Sequence, residues 1–513
     1  MARGEIETEL KFTGAPGDVA ALPESLFMKA MVQGRGGEWE RLSSTYYDTP
    51  DLALEQAGLS LRLREENGAR VQAVKRPRGE GAIIRDEFEC ALGEGAVFPA
   101  KTGDPSADAL IEAARADLAP SASTIVDCWS AVVRFGVSEI EIAVDLGRAE
   151  CRGADGVMRT APLAEVELEL VEGEAGDLFD LGRLLIRNAP LRISTRTKLE
   201  YARSLAGGGP YRIAQGSRLQ LAPEESAASA LDRSLLQIAS RLATLQPVLL
   251  EARHPEGVHQ MRVALRRLRA IERTFRPFVA GRRLRALAER AKLIARALGP
   301  ARDWDVFLEE TLPSVLESGY APTGAGALRA RAMTIRAAAW AEAVKIVESQ
   351  EFKEFQLDIL EAAVAHDWRT PAGGAFDAAV ADIAPAALDR RLRRARKIAR
   401  TIDRSSPAGW HPLRIALKKL RYPLQMFRSV YPKDIRKPYM STLSVLQDAF
   451  GHVNDAAVAQ RLANEAAEAT GGDAMRAAGF VCGYKAAEAE AASRTIEADF
   501  AAFENMKPFW RED

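Results

Sequence analysis

The sequence predicts a two-domain α+β protein: a strand-rich domain over residues 1–205, a linker over 206–225 and an all-α domain over 226–513. Three observations carry that reading. At 513 residues the chain is too long for one ordinary core. Period-two alternation dominates the first two hundred residues and gives way to three- and four-residue spacing beyond them. The second half also repeats itself. VHQMRVALRRLRA from Val258 matches WHPLRIALKKLRY from Trp410, and LGPARDWDVF from Leu298 matches FGHVNDAAVA from Phe450, both at an offset of 152 residues. Two matched segments in one order at one spacing imply a duplicated helical bundle.

The first strand is EIETELKF (5–12), in which Glu5, Glu7, Glu9 and Lys11 share one face and Ile6, Thr8, Leu10 and Phe12 the other. Later strands follow at LSLRLRE (59–65), RVQAVKR (70–76), IIRDEFEC (83–90), SEIEIAVDL (138–146) and AEVELELVE (164–172). Turn-forming DTPD and ENGAR separate them. GGGPYRIAQGSRLQLAPEES (207–226) has linker composition.

Charge divides the same way. Residues 1–205 carry 24 Lys+Arg against 35 Asp+Glu, and the remainder 46 against 36. An acidic half joined to a basic half implies two modules with different surface chemistry. Four scattered cysteines form no CxxC pair, which argues against a zinc site or disulfide framework and suits a reducing compartment. The N-terminus lacks an apolar h-region and no apolar run reaches a membrane span, so the cytoplasm is the expected location.

An antiparallel sheet with one wet side accounts for alternation alone. The residue types point further. Some strands are rich in carboxylates and others in Arg, and each charge keeps its parity. Turned into a closed barrel, these rows would line a charged tunnel. Carboxylates suit a hard divalent cation, and Arg and Lys suit a polyphosphate chain.

Glu7-Thr8-Glu9-Leu10-Lys11 resembles the N-terminal ExExK signature of the CYTH family, the triphosphate tunnel metalloenzymes. YYDTPDLALEQAGLSLRLRE resembles the segment that follows, and Lys75, Arg85, Arg134, Asp145, the glutamates at 165–169 and Lys198 fall in the expected order. The resemblance covers residues 1–205. It implies an eight-stranded antiparallel tunnel, flanked by helices, that binds a triphosphate with Mg²⁺ or Mn²⁺. It further implies that Glu7 and Glu9 coordinate metal, joined by members of Glu165, Glu167 and Glu169. Arg62, Arg64, Lys75, Arg85, Arg134 and Lys198 would clamp phosphoryl oxygens, with Lys11 orienting the chain or the water. Asp145 stays open between metal ligand, water-orienting group and partner of Arg134. Water as the attacking group would make a triphosphatase, acting on tripolyphosphate or thiamine triphosphate; a ribose hydroxyl would make an adenylate cyclase.

In the basic half, His259, Arg262, Arg266, Arg269 and Arg273 follow at steps of three and four and form one helical stripe. Met261, Leu265, Leu268, Glu272 and Phe275 form another, mostly apolar. The repeat copies both, with His411, Arg414, Lys418 and Arg421 against Leu413, Leu417, Leu420, Leu424 and Phe427. Residues 262–302 hold 13 basic and 2 acidic side chains, and 390–437 hold 16 and 2. A duplicated stripe of that density points to an anion groove rather than a solvated face. The stripes contain few aromatics, which favours phosphate without bases over nucleic acid. This half resembles the CHAD family, the conserved-histidine α-helical domain, over nearly all of residues 225–510. That resemblance implies binding of long-chain inorganic polyphosphate by His259, Arg262, Arg266, Arg269, His411, Arg414, Lys418 and Arg421. The helical half would then deliver substrate or dock the protein on polyphosphate granules. The histidines either face the anion or are buried and hydrogen-bonded. The expectation is a metal-dependent inorganic triphosphatase with a polyphosphate-binding half. Its rival is a polyphosphate-binding scaffold whose tunnel does not turn over.

Overall fold

The structure is a computed structural model that describes residues 3–32, 37–66, 68–77, 83–93, 98–153, 155–207, 219–279, 281–317, 322–366, 376–404, 407–468 and 472–511. Most of the expected linker, residues 208–218, lies outside the described residues. The chain divides into two compact units. One comprises Met1–Gly216 together with Leu235–Ala252 and Glu348–His366; the other comprises Ser217–Ser234, Arg253–Val347 and Asp367–Asp513.

The first unit is built on β1 (Arg3–Thr13), β2 (Glu38–Asp48), β3 (Ser60–Glu66), β4 (Ala69–Pro77), β5 (Ile84–Leu92), β6 (Ala119–Phe135), β7 (Ser138–Arg152) and β8 (Met158–Glu172). They hydrogen-bond in the order β5-β4-β3-β2-β6-β7-β8-β1, and β1 also pairs with β5, closing an eight-stranded barrel. All pairings are antiparallel. A ninth strand, β9 (Arg192–Ser194), continues along β1 beside Lys11–Thr13. Hairpin turns use residues that tolerate φ > 0. Gly136 between β6 and β7 has φ of 60°, and a Cβ there would meet the Asp177 carboxylate at 2.4 Å.

The register decides which face is inside. Directly paired residues point to the same side of a sheet. Glu7 pairs with Arg85, Lys75 with Glu87, Arg62 with Ala73, and Tyr46 with Arg62. Going on round the ring, Ala122 pairs with Cys151, Asp145 with Glu165, and Glu167 with Lys11. One side therefore runs round all eight strands and carries the charged rows. Glu7 and Glu9 are each only 5% exposed, so that side is the interior. The other side is apolar and covered by helices. Leu61 and Val74 pack with α3 (Ala53–Gln56) and α4 (Pro105–Ala114), which follow α1 (Pro16–Ala21) and α2 (Leu26–Val32). Leu10 and Phe12 lie buried against α5 (Ala175–Asn188).

The interior is not charged along its whole length. At one end Tyr46, Val126, Ala149, Cys151 and Leu163 also point inward, and α6 (Lys198–Ala206) packs Leu199, Ala202 and Leu205 onto them. That end of the barrel is filled with hydrocarbon. Alternation fixes parity, but the stretch of each strand facing α6 had to be apolar for the helix to sit there.

Helices follow from α7 (Ala227–Leu250) through α8 (Pro255–Phe275), α9 (Arg282–Ala297), α10 (Gly299–Val306), α11 (Leu312–Leu316), α12 (Ala325–Glu348) and α13 (Gln350–Val364). They continue with α14 (Val380–Ala399), α15 (His411–Met426), α16 (Lys433–Glu468) and α17 (Gly472–Asn505). The first duplicated segment falls on α8 and α15, and the second on α10 and α16. Helices α8 and α15 each bury an apolar stripe: Met261, Leu265, Leu268 and Phe275 in α8, Leu413, Leu417, Leu420 and Leu424 in α15. Among the described residues no helix is long and apolar enough to cross a membrane.

Candidate functional site

Two neighbouring strands bring the acidic cluster together. Glu7 and Glu9 come from β1, Glu169 from β8, and one carboxylate oxygen of each lies within 4.8 Å of the others. Burial is the main reason the Glu169 carboxyl is pushed up to about 8, with Glu7 and Glu9 adding to the shift. Burial also raises Glu9, against the pull of Arg85. Three packed carboxylates in a low dielectric demand positive charge, and their oxygens are the hard donors that Mg²⁺ and Mn²⁺ take. The residues present fit such an ion.

Fixed cations surround them. Arg85, from β5, reaches Glu7 at 3.1 Å and also bonds Glu9. Lys75 lies 3.1 Å from Glu7 and 2.9 Å from Glu87. Arg62 lies 3.2 Å from Glu89 and 3.6 Å from Glu87, and Arg64 lies 3.6 Å from Glu89. Glu87 thus ties the β3 and β4 cations together. Its place in the RDEFE alternation was the only sequence signal for it.

Deeper toward α6 is a second group. Lys11 sits 2.6 Å from Glu167, and Lys198 sits 2.6 Å from Glu167 and 2.7 Å from Asp145. Burial opposes ionisation of Glu167, but the two lysines hold its carboxyl well below the usual carboxylate range. Lys198 is placed by local sequence. Thr197 accepts from the Glu200 N–H at 3.1 Å, and the Glu200 carboxylate accepts from the Thr197 N–H at 2.8 Å. This capping box starts α6 with Lys198 as its first residue, aimed at β7 and β8. Asp145 therefore faces Lys198 and not Arg134. One oxygen each of Asp145 and Glu165 is buried without a hydrogen bond.

Arg134 is not brought into this group. It shares the inward parity, but it lies at the tip of the β6–β7 hairpin, 76% exposed, and pairs with Glu139 at 3.0 Å.

The helical unit carries the other predicted residues. Arg262 donates to the Ala295 carbonyl at 2.6 Å, at the C-terminal end of α9. Arg421 donates to Gln447 at 2.9 Å, and Gln447 donates in turn to the Leu417 carbonyl at 3.0 Å. Burial, then the charges of Arg414 and Arg266, pull the Lys418 ammonium down to about 8. The stripes of α8 and α15 therefore converge, since Arg266 belongs to the first copy and Lys418 to the second. His411 is exposed at the start of α15. His259 is half-buried, and burial with the nearby Arg302 lowers its pKa. Asp303 pairs with Arg461 at 2.9 Å, while Asp455 acts on Arg414 and Lys418.

Comparison with known proteins agrees with both halves. Residues 5–202 match the family model described as the CYTH domain, and residues 233–464 match that of the CHAD domain. The chain is a CYTH domain joined to a CHAD domain. Members of the CYTH family are triphosphatases or cyclases, and they use divalent metal ions. Among solved structures, the CHAD domain of the plant Ricinus communis is 25% identical, covering 58% of this chain and 98% of its own, with a TM-score of 0.48. A candidate adenylyl cyclase from Hippeastrum, described as having a dominant triphosphatase activity, is 19% identical over 40% of this chain and 96% of its own, at 0.26. A candidate adenylate cyclase from Bacillus halodurans is 18% identical over 36% of this chain and 90% of its own, at 0.25.

Proposed function

We propose that the CYTH tunnel hydrolyses inorganic triphosphate and that the CHAD helices hold long-chain inorganic polyphosphate. The carrying observation is the facing arrangement inside the barrel, with Glu7, Glu9 and Glu169 gathered on one side of Arg62, Arg64, Lys75 and Arg85. Acid for a metal and base for phosphate occupy one enclosed space.

Glu7, Glu9 and Glu169 would hold Mg²⁺ or Mn²⁺, which supplies Lewis-acid polarisation of phosphoryl oxygens. Arg62, Arg64, Lys75 and Arg85 exchange their carboxylate partners for phosphoryl oxygens and neutralise charge as it develops on them. Lys11 and Lys198 lie at the inner end of this row, where a terminal phosphoryl group would rest. The Asp145 carboxylate, one oxygen of which is buried without a hydrogen bond, and the Glu165 carboxylate, 3.5 Å from Lys11, offer acceptors for the attacking water. Water adds to the terminal phosphorus, the P–O bond to the remaining pyrophosphate breaks, and orthophosphate leaves. In the CHAD half, Arg262, Arg266, Arg269, Arg414, Lys418 and Arg421 form the anion surface, with His259 and His411 beside them.

The test is phosphate release from tripolyphosphate, ATP, thiamine triphosphate and long polyphosphate with Mg²⁺ or Mn²⁺. Tripolyphosphate should be the fastest, and Glu7→Ala or Glu9→Ala should abolish release. Undiminished release in both variants would overturn the site assignment. Tight binding of long chains with no turnover of any substrate would favour the scaffold reading.

A further inference from the structure

The tunnel unit takes in two pieces of chain from within the span that matches the CHAD family: the second half of α7, and α13. Helix α13 lies along α5. Arg183 of α5 bonds Asp180 at 2.8 Å on its own helix, then Asp358 at 2.7 Å and Glu361 on α13. Arg187, one turn on, reaches Glu354 at 2.8 Å.

Beneath this clamp α5 touches β1 and α13 at one point. A Cβ added to Gly182 would stand 3.2 Å from both Leu10 and Phe12 and 3.8 Å from Leu357 of α13. Leu10, Phe12 and Leu357 are all at most 1% exposed. Leu10 and Phe12 alternate with Glu9 and Lys11 along one strand. Packing on the outer face of β1 therefore sets where the inner face presents its charges. A second brace acts through β9, which pairs with Lys11–Thr13. Thr195 donates to Ser240 of α7 at 3.1 Å, and Arg192 pairs with Glu251 at 2.5 Å. Lys198 follows three residues after Thr195.

We propose that α13 and the second half of α7 are positioning elements for the tunnel's acidic cluster, with Arg183 and Leu357 as the positioning residues. Chain that the family boundary assigns to polyphosphate binding thus serves as a frame for the catalytic strand. The proposal rests on reading Glu7, Glu9 and Glu169 as a divalent-cation site. A site whose supporting shell loosens by about 1 Å loses much of its affinity and rate.

The test uses the full chain and measures Mn²⁺ affinity by calorimetry, well below each variant's unfolding midpoint, alongside kcat and KM for tripolyphosphate. The variants are Arg183→Ala, Leu357→Ala, and the conservative Arg183→Lys. The two alanine variants should bind Mn²⁺ about tenfold more weakly, as loss of an outer-shell support typically does, and Arg183→Lys, which keeps the charge among the three carboxylates, should recover most of that loss. If Arg183→Ala does not fold, Leu357→Val carries the same comparison with one methylene removed. Unchanged Mn²⁺ affinity in folded variants would overturn the proposal. Glu7→Gln with Glu9→Gln separates the two readings. Mn²⁺ binding that survives there defeats the metal site itself, whereas binding lost there but intact in the Arg183 and Leu357 variants defeats only the brace.

Discussion

Glu9 and Glu169 stand directly opposite each other across β1 and β8, a registered pair of carboxyl groups inside the barrel wall. Like charges so placed destabilise a sheet by up to about 1 kcal/mol. Glu169→Gln should therefore stabilise the chelator-treated protein while weakening Mn²⁺ binding. The sign with pH follows from the raised carboxyl, whose ordinary value of 4.5 becomes about 8. Between those values the folded state holds a proton that the unfolded state has lost, so wild-type stability in chelator falls as pH rises through the window. The glutamine variant should lose that slope. Denaturation midpoints from pH 5 to 9, with and without Mn²⁺, check both effects.

Arg85 touches both Glu7 and Glu9, and all three side chains are at most 7% exposed. Removing one partner from such a buried group leaves an uncompensated charge and costs about 3–5 kcal/mol. Arg85→Ala should lose stability of that order in chelator and gain more than wild type when Mn²⁺ is added. Urea unfolding with and without the ion measures the difference.

Arg62 and Arg134 share the inward parity but not the same surroundings. Arg62 is 15% exposed among Glu87 and Glu89, while Arg134 is 76% exposed beside Glu139. An exposed pair is worth about 0–1 kcal/mol. Arg134→Ala should change kcat/KM for tripolyphosphate less than about fivefold, which 1 kcal/mol allows. Arg62→Ala should lower it by at least about tenfold, the loss of one charge-assisted contact. Steady-state kinetics on the two variants decide this.

Lys418 gives the helical unit a pH dependence. Its ammonium loses its proton near 8, so it is charged below that value and neutral above it. Affinity for long-chain polyphosphate should fall as pH rises from 7 to 9, by more than screening by salt explains. Lys418→Arg, which keeps its charge throughout, should flatten the profile in a filter-binding or fluorescence titration.

How far the sequence disclosed the molecule depends on the range of the interactions involved. Alternation is local, so the charged and apolar faces of β1, β3, β7 and β8 could be read directly, as could the matched stripes of α8 and α15. Closure is not local. Whether Glu7 pointed inward depended on β1 meeting β5 as well as β8, and no single strand records that. Arg134 shows the limit of parity, because position along a strand decides burial as much as face does. The apolar stretch under α6 could not be read from the sequence, since Leu163 and Cys151 carry no mark of facing inward. Nothing in the spacing of α13 brings Leu357 to Gly182, beside which Leu10 also packs, because that meeting depends on distant chain returning.

The hydrocarbon stopper formed by Leu199, Ala202 and Leu205 has a kinetic consequence. On the proposed reading an anion enters the stoppered barrel from its other end, where the β6–β7 hairpin carries Arg134. Reactant and product of the proposed hydrolysis would then share that end, and a long anionic thread would offer only its terminus. Each such turnover would end with a retreat, and the cations that draw the incoming anion would also slow its departure.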